Sequence, residues 1–157
     1  MKMEERIAIN GPREAVWSVI TSIESAAERI SGIQKVEVLE KPADGLVGLK
    51  WRETRTLFGK TATEVMWITD AVENEYYKTR AESHGCIYLC TLEVAEENGA
   101  STLTMSHGGE PQGLVAKVLA VPMGFLFKGA MRKAIRKDLE DIKAAVEGME
   151  TAKGGGR

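Results

Sequence analysis

Six apolar residues near the C-terminus, Met131, Ile135, Leu139, Ile142, Val146 and Met149, recur at spacings of 4, 4, 3, 4 and 3. That is the stripe of a helix laid along something larger than itself. It belongs to the stretch from Gly113 to Gly148, the only segment long and periodic enough to form a sizeable helix. Arg136 with Glu140, Lys137 with Asp141 and Lys143 with Glu147 stand four apart. Each such pair adds about 0.2–0.5 kcal/mol of local support. A helix from Gly124 to Gly148 would be about 37 Å long, enough to cross a small domain. The rest of the fold has to supply the surface that this helix covers.

The preceding chain supplies it as strands. Met3 to Ile9 mixes charged and apolar side chains as a strand with one buried face would. Asn10-Gly11-Pro12 turns the chain, and Pro12 suits the first position of a helix with Val16, Trp17, Val19, Ile20 and Ile23 on its apolar side. Ser25 to Glu28 has capping-box spacing and predicts a second short helix to about Ile30. Short-period segments follow over Ile33 to Glu40, Leu46 to Phe58, Thr61 to Val72, Tyr76 to Ser83, Cys86 to Ala95 and Thr102 to His107. The loops between them are short, so neighbours pair antiparallel as hairpins. Seven strands with helices segregated to one side make an α+β fold, and a meander of that width curls as its twist accumulates. Residues 1–150 form a single domain, and 151–157, with three consecutive glycines, reads as a disordered tail.

Composition narrows the function classes. A formal charge of −2 gives no global reason for nucleic acid or membrane binding, and 43% hydrophobic with 28% charged residues is ordinary for a globular domain. The N-terminus lacks the apolar core of an export signal, so the expected location is cytoplasmic. The most apolar run, Val118 to Phe127, is ten residues long, whereas a spanning helix needs about 20, which argues against stable membrane insertion. Cys86 and Cys90, if on one strand, are about 13 Å apart, too far for a disulfide or for one zinc. Gly59-Lys60-Thr61 resembles the end of a phosphate loop, but Thr54 stands where its first glycine belongs. No HExxH, GxSxG or paired CxxC occurs. A metal site from His84, Cys86 and His107 lacks a fourth ligand. No metal and no cofactor is expected.

Three segments together carry a resemblance: Ile9-Asn-Gly-Pro-Arg-Glu-Ala-Val-Trp17 after the first strand, Val47-Gly-Leu-Lys-Trp-Arg52, and Ala130 to Glu147 with its Asp138-Leu139 and Ile142-Lys143. In this order, from Met3 to about Glu150, the chain resembles the START-like or helix-grip superfamily (SRPBCC). That superfamily includes birch-pollen-allergen proteins, lipid-transfer START domains and bacterial polyketide cyclase/dehydrase-like proteins. The resemblance implies a curved antiparallel sheet wrapped around the long helix and a deep hydrophobic cavity between them, with the two short helices supporting one end. It implies no single activity. The partner it leads one to expect is a small hydrophobic molecule such as a lipid, quinone, polyketide or aromatic compound.

Candidate site residues follow from strand parity. Trp51, Trp67, Tyr77, Tyr88 and Met105 are candidates to line the cavity, with Leu119, Met123 and Phe127 opposite. For each taken alone, a place in the core is the simpler assignment. Glu53 and Arg55 share parity with Trp51 and would point inward with it as a polar anchor. The competing expectation, which parity slips at bulges favour, is an exposed polar run from Lys50 to Thr56 on a twisted edge. His107 shares a face with Leu103 and Met105 and is the candidate proton donor or acceptor, with Glu53 or a tyrosine as its partner. Its competing role is a strand-end histidine satisfied by backbone or water. Pro122 is expected to kink or break the long segment, so that its first half gates the cavity. Arg132, Lys133, Arg136 and Lys137 form a basic cluster, a solvated face in the simplest view and otherwise a docking patch. Three functions stay open: a carrier of a hydrophobic ligand, a cyclase or dehydratase, and a chaperone-like or regulatory interaction module.

Overall fold

The computed structural model describes the backbone of residues 2–57, 59–83 and 85–154, and side chains there except those of residues 57, 114–127 and 154. Strand β1 (Lys2–Ile9) leads into helix α1 (Arg13–Thr21) and a 3-10 helix over Ile23–Glu28. Strands β2 (Ile33–Glu40), β3 (Lys50–Leu57), β4 (Lys60–Val72), β5 (Tyr76–Ser83), β6 (Cys86–Glu97) and β7 (Ala100–Pro111) follow, and helix α2 (Leu114–Gly154) closes the chain. The seven strands form one antiparallel sheet in the order β1-β7-β6-β5-β4-β3-β2. A meander from β2 to β7 thus ends against β1, which lies at one edge with β2 at the other. This is the expected α+β helix-grip architecture, with two short helices after the first strand.

One face of the sheet holds the core. Met3, Ile9, Trp51, Ile68, Tyr77, Leu92, Val94, Leu103 and Met105 are buried on it. Against them lie Val16, Trp17, Val19 and Ile20 of α1 and Ile135, Leu139, Ile142 and Val146 of α2. The predicted helical stripe is therefore the contact surface, with Met131 partly buried at its start and Met149 exposed at its end. Trp17 and Tyr77 meet edge to face at 6.1 Å, and the Tyr77 hydroxyl donates to the Ile20 carbonyl at 3.1 Å, which joins α1 to the sheet.

Local differences from the sequence expectations have local causes. The second short helix is a 3-10 turn starting at Ile23, and Ser25 does not cap it; its hydroxyl donates to the Ser22 carbonyl at 3.3 Å. Strand β3 starts at Lys50 because Gly45 and Gly48 take positive φ values of 70° and 96° and hold residues 45–49 in a turn. Strand β7 runs four residues past His107 to Pro111. Helix α2 is not broken at Pro122, since a proline removes one helix hydrogen bond while neighbouring turns keep theirs. The helix also continues to Gly154, into the segment expected as a tail.

Candidate functional site

The polar centre of the concave face is built on β3. This strand pairs with β4 without a slip from Lys50 to Leu57, so Trp51, Glu53 and Arg55 keep one parity and all face inward. The expected exposed edge is corrected on both counts: β3 is covered by β2 on its outer side, and Glu53 retains only 9% of its surface. The bulges that were expected to scramble parity lie in β2 and β4.

Arg55 is held from two directions. Its Nε donates to Glu53 Oε1 at 2.5 Å, and Nη1 and Nη2 donate to Asp138 Oδ1 and Oδ2 at 3.2 and 2.7 Å. The second carboxylate comes from α2, so a fork of two parallel bonds ties the helix to the sheet. The Trp51 indole N–H donates to Glu53 Oε2 at 3.3 Å. Burial works against the Arg55 charge, yet Asp138 and Glu53 more than offset it and raise the pKa of the guanidinium, which is a permanent cation. Burial pushes the Asp138 carboxyl above its usual range, and Arg55 pulls against that push. Gly32 lies beside the pair; a Cβ there would stand 3.3 Å from Arg55 Nη1 and 3.7 Å from Asp138 Oδ1.

His107 sits inside β7, opposite Met3 of β1 and Cys90 of β6, which replaces the expectation of a strand-end residue. Its Nε2 is 3.6 Å from Cys90 Sγ. Burial, assisted by the Arg55 charge, lowers its pKa to about 4, so the ring is neutral at physiological pH. Burial likewise pushes the Cys90 thiol up to about 12, which leaves it protonated and a poor nucleophile. Cys86 and Cys90 are both free thiols on one strand.

Tyr88 stands further along the same concave register, opposite Ala81 of β5 and Gly109 of β7, with its ring over Gly109. It keeps 42% of its surface exposed.

The sequence candidates thus divide. Trp51, Glu53, Arg55, Tyr77, Tyr88, Met105 and His107 share the concave face, but Trp51, Tyr77 and Met105 belong to the packed core. Trp67 faces the other way: it lies opposite Lys50 and Arg80, and the Lys50 ammonium is 5.7 Å from its ring centre. Period-two alternation puts it out of phase with Met66 and Ile68. The side chains of Leu119, Met123 and Phe127, and those around Pro122 through which the expected gate would act, lie outside the described residues, as does His84. Asp138 was not read as a site residue, although it follows Ile135 by three and precedes Ile142 by four, at the border of the buried stripe. Glu5 was missed too; it is inward on β1 and pairs with Arg132 at 2.8 Å and Arg136 at 2.9 Å. Arg136 therefore bonds across to β1, whereas Lys137–Asp141 and Lys143–Glu147 form as the spacing predicts. Of two surface hollows, one of about 520 Å³ lies near Ser83, Cys86 and Gln112 and one of about 330 Å³ is lined by Leu89, Ser106, His107 and Gly109; neither is lined by Glu53, Arg55 or Asp138. Among the described residues no cluster of His, Cys, Asp and Glu is arranged to hold a metal. Nor is any helix among them long and apolar enough to cross a membrane.

A sheet gripping a C-terminal helix, with a polar centre between them, defines a helix-grip protein, and comparison with known structures agrees. TTHA0849 from Thermus thermophilus superimposes with a TM-score of 0.77 at 15% identity, over 95% of this chain and 99% of its own. The Zhui aromatase/cyclase from a Streptomyces species gives 0.78 at 17% identity, over 94% and 93%. A START superfamily protein from Mycobacterium smegmatis gives 0.67 at 15% identity, over 94% and 95%. At these identities the likeness establishes the fold. A search of curated proteins finds no match. The chain belongs to the family described as polyketide cyclase/dehydrase and lipid transport, whose sequence profile matches residues 1–147.

Proposed function

We propose that the protein binds a small hydrophobic ligand, such as a lipid, quinone, polyketide or aromatic compound, against the concave face between β3 and β7. The observation that carries this reading is Tyr88: an aromatic ring on the concave register, over Gly109 and opposite Ala81, with 42% of its surface uncovered. A folded domain rarely leaves such a ring open on its inner face unless something else packs there. Tyr88 would meet the apolar end of the ligand, with Trp51 and Met105 in the packed core behind it. The Glu53–Arg55–Asp138 network, with neutral His107 nearby, would meet its polar end.

Native mass spectrometry of freshly purified protein is the test. A co-purifying hydrophobic molecule, or a change in tryptophan fluorescence on titration with fatty acids, quinones or aromatic polyketides, is the expected result, because Trp51 touches Glu53. No bound molecule and no fluorescence change across all three classes would sink the reading.

Catalysis is the second reading, favoured by one observation: a neutral imidazole and a fixed guanidinium share the same face. A neutral His107 could accept a proton from a bound carbonyl compound, as a cyclase or dehydratase requires, and Arg55 would stabilise the enolate formed. Glu53, already accepting from Arg55 and Trp51, is the weaker candidate for acid–base work. Unchanged turnover of an identified substrate by His107→Ala would remove the imidazole from the mechanism.

A further inference from the structure

The guanidinium of Arg55 is already spoken for, and that limits the head group a ligand can bring to it. A guanidinium has five N–H donors and meets a carboxylate through a fork of two parallel bonds. The fork between Nη1 and Nη2 is filled by Asp138, at 3.2 and 2.7 Å, and Nε is taken by Glu53 at 2.5 Å. The two N–H groups left over, one on each terminal nitrogen, point to different sides and make no fork. Each can serve a carbonyl oxygen singly. The carboxylates are less fully used. Among the described residues each of the four oxygens of Glu53 and Asp138 accepts one hydrogen bond, from Arg55 or the Trp51 indole, whereas a carboxylate oxygen has two lone pairs.

The charges point the same way. Two carboxylates against one guanidinium leave one net negative charge, and Glu64 of β4, directly across from Glu53, faces the same side. Burial and Cys86 raise the pKa of the Tyr88 hydroxyl, and the Glu64 charge adds to them, so the acidic stretch reaches that ring. The cations of this face do not restore the balance. Arg132 and Arg136 pair with Glu5 on the edge strand β1, and Lys60 is exposed at the start of β4, about 13 Å along the strand from Glu64. We propose that the site takes ligands whose polar end is a hydroxyl or amine donor and rejects carboxylates and phosphates. This rests on the ligand-binding reading above and narrows it. An anionic head would meet three carboxylates on a face largely out of solvent and find no fork to receive it, and like charges so placed are penalised. A donor head reaches the unused lone pairs instead.

Isothermal titration calorimetry of the full chain at neutral pH with naphthol, naphthylmethylamine and naphthoate tests this, since the three share one ring system and differ in head-group charge. Naphthol and the amine are expected to bind at least about tenfold more tightly than naphthoate. Asp138→Asn empties the fork and removes a charge, so it should raise naphthoate affinity at least about tenfold. Because that substitution also loosens the fold, Glu64→Gln, at a half-buried position, provides a second arm. It should raise naphthoate affinity about threefold and leave naphthol unchanged. Naphthoate bound by the parent as tightly as naphthol overturns the proposal and leaves the binding reading intact. So does a naphthoate affinity that neither variant raises. Binding of none of the three removes the binding reading for aromatic ligands, and the proposal with it.

Discussion

Arg55 of β3 and Asp138 of α2 are joined by two parallel hydrogen bonds of 3.2 and 2.7 Å, an ion pair that ties the C-terminal helix to the sheet one strand in from its β2 edge. Both side chains are largely out of solvent, at 23% and 10% exposure. Removing one partner leaves a charge that the fold has already desolvated. Asp138→Asn is therefore expected to lower the unfolding free energy by about 3 kcal/mol, whereas Arg55→Met combined with Asp138→Leu should recover much of that loss. Urea denaturation decides it, and a single variant within about 0.5 kcal/mol of the parent would refute the central role given to this pair.

Gly32 tests the same pair from outside. Its backbone is open to alanine, but the added methyl would sit 3.3 Å from Arg55 Nη1. Gly32→Ala is expected to cost about 1 kcal/mol in the parent and much less in the Asp138→Asn background, where the guanidinium is freer to move. Equal costs in the two backgrounds would show that the glycine serves something else.

His107 gives a pH dependence of defined sign. Its folded-state pKa is about 4 against about 6.5 in an unfolded chain, because burial and the Arg55 charge disfavour the imidazolium. Between these values the unfolded chain binds a proton that the folded chain excludes. Stability is thus flat above about pH 6.5 and falls by about 2–3 kcal/mol on the way to pH 4. Carboxylates with lowered values, such as Glu147 and Asp141, start to give up their contributions as pH falls through their unfolded values of 4.5 and 3.8, at the acid end of that window and below it. The groups facing the ring are Cys90 and Met3 on the flanking strands and Arg55 across the face, none of which titrates there. His107→Gln should flatten the slope between pH 6.5 and 4.5; an unchanged slope would place the titration elsewhere.

Two tyrosines separate packing from binding. Tyr77→Phe removes a buried hydrogen bond to the Ile20 carbonyl and is expected to cost about 1 kcal/mol in urea denaturation, with ligand affinity unchanged. Tyr88→Ala should leave the unfolding midpoint nearly unchanged and weaken binding of an identified ligand about tenfold, measured by fluorescence titration. The reverse pattern would exchange their roles.

Much of this fold is legible along the chain because its rules are local. The spacing of Ile135, Leu139, Ile142 and Val146 marks the buried side of α2, and short loops between short-period runs dictate the antiparallel order. Ser25 and Trp67 show where local rules mislead. A capping-box spacing cannot tell whether the backbone will start its helix three residues earlier, and an aromatic residue in a strand does not say which face it takes. Asp138 was hidden for a related reason. A charged residue bordering an apolar stripe reads as solvent-facing until its partner is known, and that partner, Arg55, lies 83 residues away.

The sequence by itself determined the α+β class, the seven-strand meander and the helix face that meets it, since hydrophobic period and turn chemistry act over a few residues. Only the tertiary structure decided that Glu53 and Arg55 face inward, that Asp138 completes their network and that His107 lies neutral between β1 and β6. Those outcomes depend on where bulges fall and on charges brought together across the sheet, and burial alters a side chain's chemistry only after distant segments have enclosed it.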